Sequence, residues 1–150
     1  VEVDQRLRPA DGTDAVPPRH RGPGEHNGTF RGHNPAFITA TTALETYWQD
    51  PEFEHQTERK GELIRARLDG IAQQYEGVSS RGRGMAQGLK FEDAEVAGKV
   101  CRAAFGRGAL METSGPSDEV VKLLPPLTTS VSDLNTGLDI LDESVIEILA

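Results

Sequence analysis

Cysteine, long apolar runs and basic residues near the C-terminal end are what this 150-residue sequence has least of. A single cysteine, Cys101, excludes an internal disulfide and fits a reducing compartment, so a cytoplasmic location is expected. No apolar run approaches the roughly 20 residues needed to span a bilayer. Val1–Ala10 is charged and polar, unlike a secretory signal. From Glu112 to Ala150 eight acidic residues stand against Lys122 alone, so this stretch carries −7 of the net −8. With no basic stripe, nucleic acid is not an expected partner, and the acidic charge reads as a solvated helix face. What remains is an ordinary globular composition, 36% hydrophobic with a mean hydropathy of −0.48, long enough for about one domain.

The chain changes character along its length. Residues 1–23 hold four prolines, few large apolar side chains and no period, which reads as an irregular leader. Asn34-Pro35 predicts an N-cap followed by proline at the first helical position. Phe37, Ile38, Thr41, Leu44, Tyr47 and Trp48 continue from there at helical spacing, up to Asp50-Pro51. A second helix is predicted over about 51–75, with Leu63, Ile64, Leu68 and Ile71 on its apolar face and Gly77 ending it. Val78 to Phe91 is glycine-punctuated and reads as two short strands. Ala94 to Phe105 returns to helix, with Val96, Val100, Ala104 and Phe105 on one side. Short strands are predicted at Ala109–Glu112 and Val120–Leu123 around a turn at Ser114-Gly115-Pro116, with Pro125-Pro126 as a stop. A last helix begins near Ser132 and aligns Leu134, Leu138, Leu141, Val145 and Ile148. The expected fold class is α+β, a small sheet covered by helices.

Few residues signal chemistry by spacing alone. His20, His26, His33 and His55 lack metal-ligand spacing, and one cysteine cannot complete a zinc site; no metal site is expected. Cys101 reads as a small core residue, and Asn27-Gly28-Thr29 as a chance glycosylation sequon. Gly82, Gly84 and Gly88 do not form a dinucleotide fingerprint, because the third glycine is one residue late and no helix follows. The run Gly24–Pro35 places Thr29 between glycines just ahead of a helix, a setting that suits a phosphate or, equally, a plain turn and cap.

The run GEHNGTFRGHNPAF (24–37) resembles a motif region of the class III pyridoxal-phosphate-dependent aminotransferases, in the form typical of the diaminobutyrate aminotransferases of ectoine synthesis. RGRGMAQGL (81–89), AFGRGALMETSGPSDEVVKLLPPLT (104–128) and LNTGLDILDESV (134–145) agree with it in order. The likeness spans about Gly24 to Leu149; His33 departs from it, standing where many relatives have asparagine. The resemblance implies the C-terminal part of a fold-type I enzyme that works as a homodimer on amino acid and 2-oxo acid substrates. Residues 24–50 would then end the cofactor-binding large domain and residues 51–150 would form the small domain. It further implies that Thr29, with the backbone at Gly28 and Phe30, contacts the phosphate of the pyridoxal 5'-phosphate bound in the neighbouring subunit. Lys122 matches a position held in many relatives by an arginine that binds a substrate carboxylate; a lysine keeps the cation but not the bidentate fork. An exposed strand lysine is the equal alternative there, and Arg81 and Arg83 are weaker substrate-binding candidates.

The family's chemistry needs a lysine, carried in a segment resembling SKSISGYGLPMALTLF. That segment is not in the sequence, and Lys60, Lys90, Lys99 and Lys122 all fall in the later regions, so no catalytic residue is assigned. Codons legal for Val1–Val16, read one base later, can spell the whole segment. Residues 1 to about 20 are therefore expected to be an out-of-frame reading of it, with the frame restored before Gly24. The expected parent activity is amino transfer between glutamate and aspartate semialdehyde to give 2,4-diaminobutyrate, with this chain alone inactive. The alternatives are a non-catalytic partner of an intact aminotransferase subunit, a pseudogene product, or another ω-amino acid as substrate.

Overall fold

In the order of the chain, a computed structural model describes residues 32–150 as four helices and four strands. These are α1 (Asn34–Tyr47), α2 (Glu52–Ala72), β1 (Val78–Arg83), β2 (Ala86–Phe91), α3 (Ala94–Gly106), β3 (Glu112–Ser114), β4 (Val120–Leu123) and α4 (Val131–Leu149). Two units divide at Thr46/Tyr47. In the first, α1 has no buried residue. Its first backbone bond runs from Phe37 N–H to the His33 carbonyl, which sets the cap one residue earlier than the Asn34 expected from sequence.

The second unit is built on a four-stranded antiparallel sheet in the order β1-β2-β4-β3. Leu89, Phe91 and Val121 project from one face of it into a core with Ile64, Leu68 and Ile71 of α2, Ala97 and Val100 of α3, and Leu134, Leu138, Leu141 and Val145 of α4. Three helices thus cover one face, as the α+β reading required. Each helix start is satisfied locally. The Asp50 carboxylate accepts from the Glu52 amide, the Asp93 carboxylate from the Glu95 amide, and the Ser130 hydroxyl oxygen from the Asp133 amide, so each takes one of the donors a helix start leaves without an intrahelical partner.

Two expectations need correction. The strand predicted at Ala109–Glu112 lies instead at Glu112–Ser114. Helix α3 ends in a Schellman motif: Gly108, at φ +97°, donates to the Phe105 carbonyl and Ala109 to the Ala104 carbonyl. The Ala109 amide is spent on the helix end, so pairing starts three residues later. Phe105, placed on the apolar side of α3 by its spacing, is 68% exposed; the buried residues of α3 are Ala97, Val100 and Ala104.

The β1–β2 hairpin closes on Gly84 and Met85, with Arg83 opposite Ala86. Gly84 has φ +56° while Met85 has negative φ, the backbone signs of a II′ turn. This turn is held against α2. Gln87 donates through Nε2 to the Gly61 carbonyl at 2.7 Å and to the Gly84 carbonyl, and Arg65 donates to the Gly82 carbonyl.

Candidate functional site

Antiparallel register decides which side chains share a face. Arg81 lies opposite Gly88, Gly88 opposite Lys122, and Lys122 opposite Glu112. Directly opposed residues project to the same side, so Arg81, Lys122 and Glu112 form one row across the sheet. The core residues Leu89 and Val121 neighbour this row in sequence and therefore point the other way, into the helices. Gly88 leaves a gap in the row because the strands approach closely there: a Cβ on it would lie 2.4 Å from the Val121 carbonyl oxygen. Arg81 and Lys122 consequently stand two strand spacings apart, about 10 Å, with no side chain between them in the row.

Both candidates chosen from sequence thus share one face. Arg81 is exposed and Lys122 half-buried. What the sequence did not reveal is Glu112: its Oε2 lies 3.0 Å from Lys122 Nζ, a cross-strand ion pair. Finding it required the register of β3 on β4, and the strand prediction was displaced there. Beside Lys122 lies a cleft of about 300 Å³, walled by Ala109–Met111, by Leu123–Pro126 and by the start of α4 from Asp133 to Leu138.

Glu119 lies just before β4. Its carboxyl is held below the usual glutamate range, first by hydrogen bonds from its own amide and that of Ser117, then by the charges of Lys90 and Arg81. Burial pushes the Cys101 thiol up; Glu112 adds to this and Arg102 opposes it. Cys101 is partly buried and packs against the core rather than within it. Among the described residues no group of histidine, cysteine, aspartate or glutamate is arranged to hold a metal ion, and no helix is long and apolar enough to cross a membrane.

Gly28, Thr29 and Phe30 lie outside the described residues. All four lysines lie inside them. Lys60, 7% exposed, donates from Nζ to the Leu127 carbonyl at 2.8 Å, which ties α2 to the loop before α4. Lys99 pairs with Glu95 and Lys122 with Glu112. Lys90 is a strand residue whose charge acts on Glu119. Three of the four ammoniums thus already face an oxygen acceptor, and the described residues do not by themselves make a pyridoxal phosphate site.

A model of the aminotransferase class-III family matches residues 10–145. The chain is 57% identical over 123 residues to a diaminobutyrate–2-oxoglutarate transaminase of Nocardia farcinica, covering 82% of this chain and 28% of that protein. It is 48% identical over 130 residues to the transaminase of the same name in Virgibacillus pantothenticus, covering 85% of this chain and 31% of that one. The chain therefore spans about 30% of the length of the curated relatives it matches. Among solved structures it is similar to an acetylornithine aminotransferase from Elizabethkingia anophelis, at 26% identity and a TM-score of 0.67, covering 85% of this chain and 33% of that one. A transaminase from the marine bacterium Virgibacillus shares the fold at 18% identity and a TM-score of 0.69, covering 85% of this chain and 32% of that one.

Proposed function

Since the chain belongs to the class III aminotransferases, we propose that it is part of an enzyme moving an amino group between glutamate and aspartate semialdehyde, giving 2,4-diaminobutyrate. The observation that carries this is the 57% identity to a relative named for that reaction. In the whole protein, pyridoxal phosphate supplies the electron sink for amino transfer. Thr29, with the backbone at Gly28 and Phe30, would hold its phosphate, and residues 24–50 would belong with the large domain. Lys122 takes a substrate carboxylate at the open sheet face, and Arg81, in the same row, adds positive charge to it. The protein works as a homodimer, and this 150-residue chain alone does not turn over.

Two measurements test the reading. The purified chain, given pyridoxal phosphate, glutamate and aspartate semialdehyde, should release no 2-oxoglutarate; steady release would overturn its inactivity alone. Residues 24–150, grafted in place of the matching part of the Nocardia farcinica enzyme, should support the same amino transfer. A folded graft that prefers another ω-amino acid would overturn the substrate assignment.

A second reading, as a non-catalytic partner of an intact aminotransferase subunit, is favoured by α1. Its Phe37, Ile38 and Leu44 are 58–66% exposed, apolar surface of the kind that marks a contact.

A further inference from the structure

The Lys122–Glu112 pair poses a chemical problem for a carboxylate site. An ammonium already facing a carboxylate at 3.0 Å is not a vacant anion receptor. A ligand bringing only a carboxylate can take another of the three ammonium donors, but it must then sit beside the negative charge of Glu112. A ligand bringing both signs on one carbon need not do so. Its carboxylate can face Lys122 and its ammonium Glu112, and each of the four charges keeps an opposite neighbour.

We infer that Lys122 and Glu112 act as one receptor for an α-amino-acid head, which makes Glu112 a specificity-determining residue. The pair is accessible for this: the Glu112 side chain is 72% exposed and that of Lys122 38%. Both project from the sheet face opposite the one that Leu89 and Val121 bury against the helices. The inference rests on the proposed carboxylate role of Lys122 and deepens it. When the distal amino group of 2,4-diaminobutyrate reacts, the end left to be recognised is a zwitterion. When the α-amino group of glutamate reacts, that end is a lone carboxylate. One cross-strand pair would thus read the two partners differently, favouring the first and restraining the second.

The test is binding by the isotope-labelled 150-residue chain, followed through the Glu112 carboxyl carbon and the Lys122 ammonium in NMR spectra. The probes are L-homoserine, a zwitterionic head without a second ammonium, its Nα-acetyl derivative, and glutarate. In the wild-type chain homoserine should shift both resonances, and its acetyl derivative should bind more weakly. Glu112→Gln should weaken homoserine roughly threefold to fivefold and tighten glutarate by a similar factor, the scale of an exposed ion pair. Lys122→Met should weaken both. Opposite signs for the two ligands are the signature, since a merely structural role for Glu112 would move both the same way. If Glu112→Gln moves both ligands in one direction, or neither, while Lys122→Met still weakens glutarate, the inference falls and the carboxylate role of Lys122 stands. If Lys122→Met leaves glutarate unchanged, that role falls and takes the inference with it.

Discussion

Helix α2 carries two glycines in its interior, Gly61 and Gly70, and replacing each with alanine should have opposite consequences. The intrinsic term is shared: alanine in place of glycine inside a helix stabilises by about 1 kcal/mol. At Gly70 nothing lies within 4 Å of the added methyl group, so Gly70→Ala should keep most of that gain. At Gly61 the new Cβ would lie 3.0 Å from both the carbonyl carbon and the oxygen of Gly84. These are backbone atoms of a hairpin turn that Gln87 and Arg65 already tie to α2, so they cannot rotate aside as a flexible side chain would. Overpacking of this kind costs about 1–3 kcal/mol, and moving the turn also stretches the buried Gln87 bonds, worth about 1 kcal/mol each. The loss outweighs the propensity gain. Gly61→Ala should be destabilised by about 1–3 kcal/mol, and the two variants should differ by about 2–4 kcal/mol. Urea unfolding followed by circular dichroism measures both, with m-values checked for equality. Equal stabilisation by the two substitutions would refute the close approach of α2 to the β1–β2 turn.

Two further outcomes follow from local chemistry. Ser130 caps α4, its hydroxyl oxygen accepting from the Asp133 amide at 3.0 Å, so Ser130→Ala should cost about 0.5–2 kcal/mol in the same unfolding assay; no change would mean the cap contributes nothing. The depressed carboxyl of Glu119 contributes stability that is present above the ordinary glutamate pKa and lost as pH falls through its own lower one. An NMR titration should place its midpoint below that of an unstructured glutamate, and Glu119→Gln should flatten the acid limb of the stability profile. A midpoint at or above the ordinary value would contradict the turn hydrogen bonds.

Periodicity made much of the scaffold legible. Ile64, Leu68 and Ile71 on α2, and Leu134, Leu138, Leu141 and Val145 on α4, were assigned to apolar faces from spacing and are buried, because a helix must turn such a stripe inward. Where local hydrogen bonding competed with composition, spacing failed. Ala109–Met111 has the make-up of a strand, yet the Schellman turn at Gly108 claims its first amide. Phe105 lies one residue past the stripe that the sheet can cover and faces solvent.

The sequence by itself determined membership of the family and the α+β class, since ordered motifs and apolar periods are properties of the chain, and it put Lys122 and Arg81 forward as candidates. Which of these residues meet was decided only in three dimensions. Arg81 and Lys122 are 41 positions apart in the chain and share a row only because β2 pairs with both β1 and β4. Glu112 faces Lys122 only through the register of β3 on β4. A shift of one residue in that register would send Glu112 to the other face, leaving Lys122 without its carboxylate partner. Register is fixed by which face packs on the core and by the turn that joins the strands, and the make-up of Ala109–Glu112 alone displays neither.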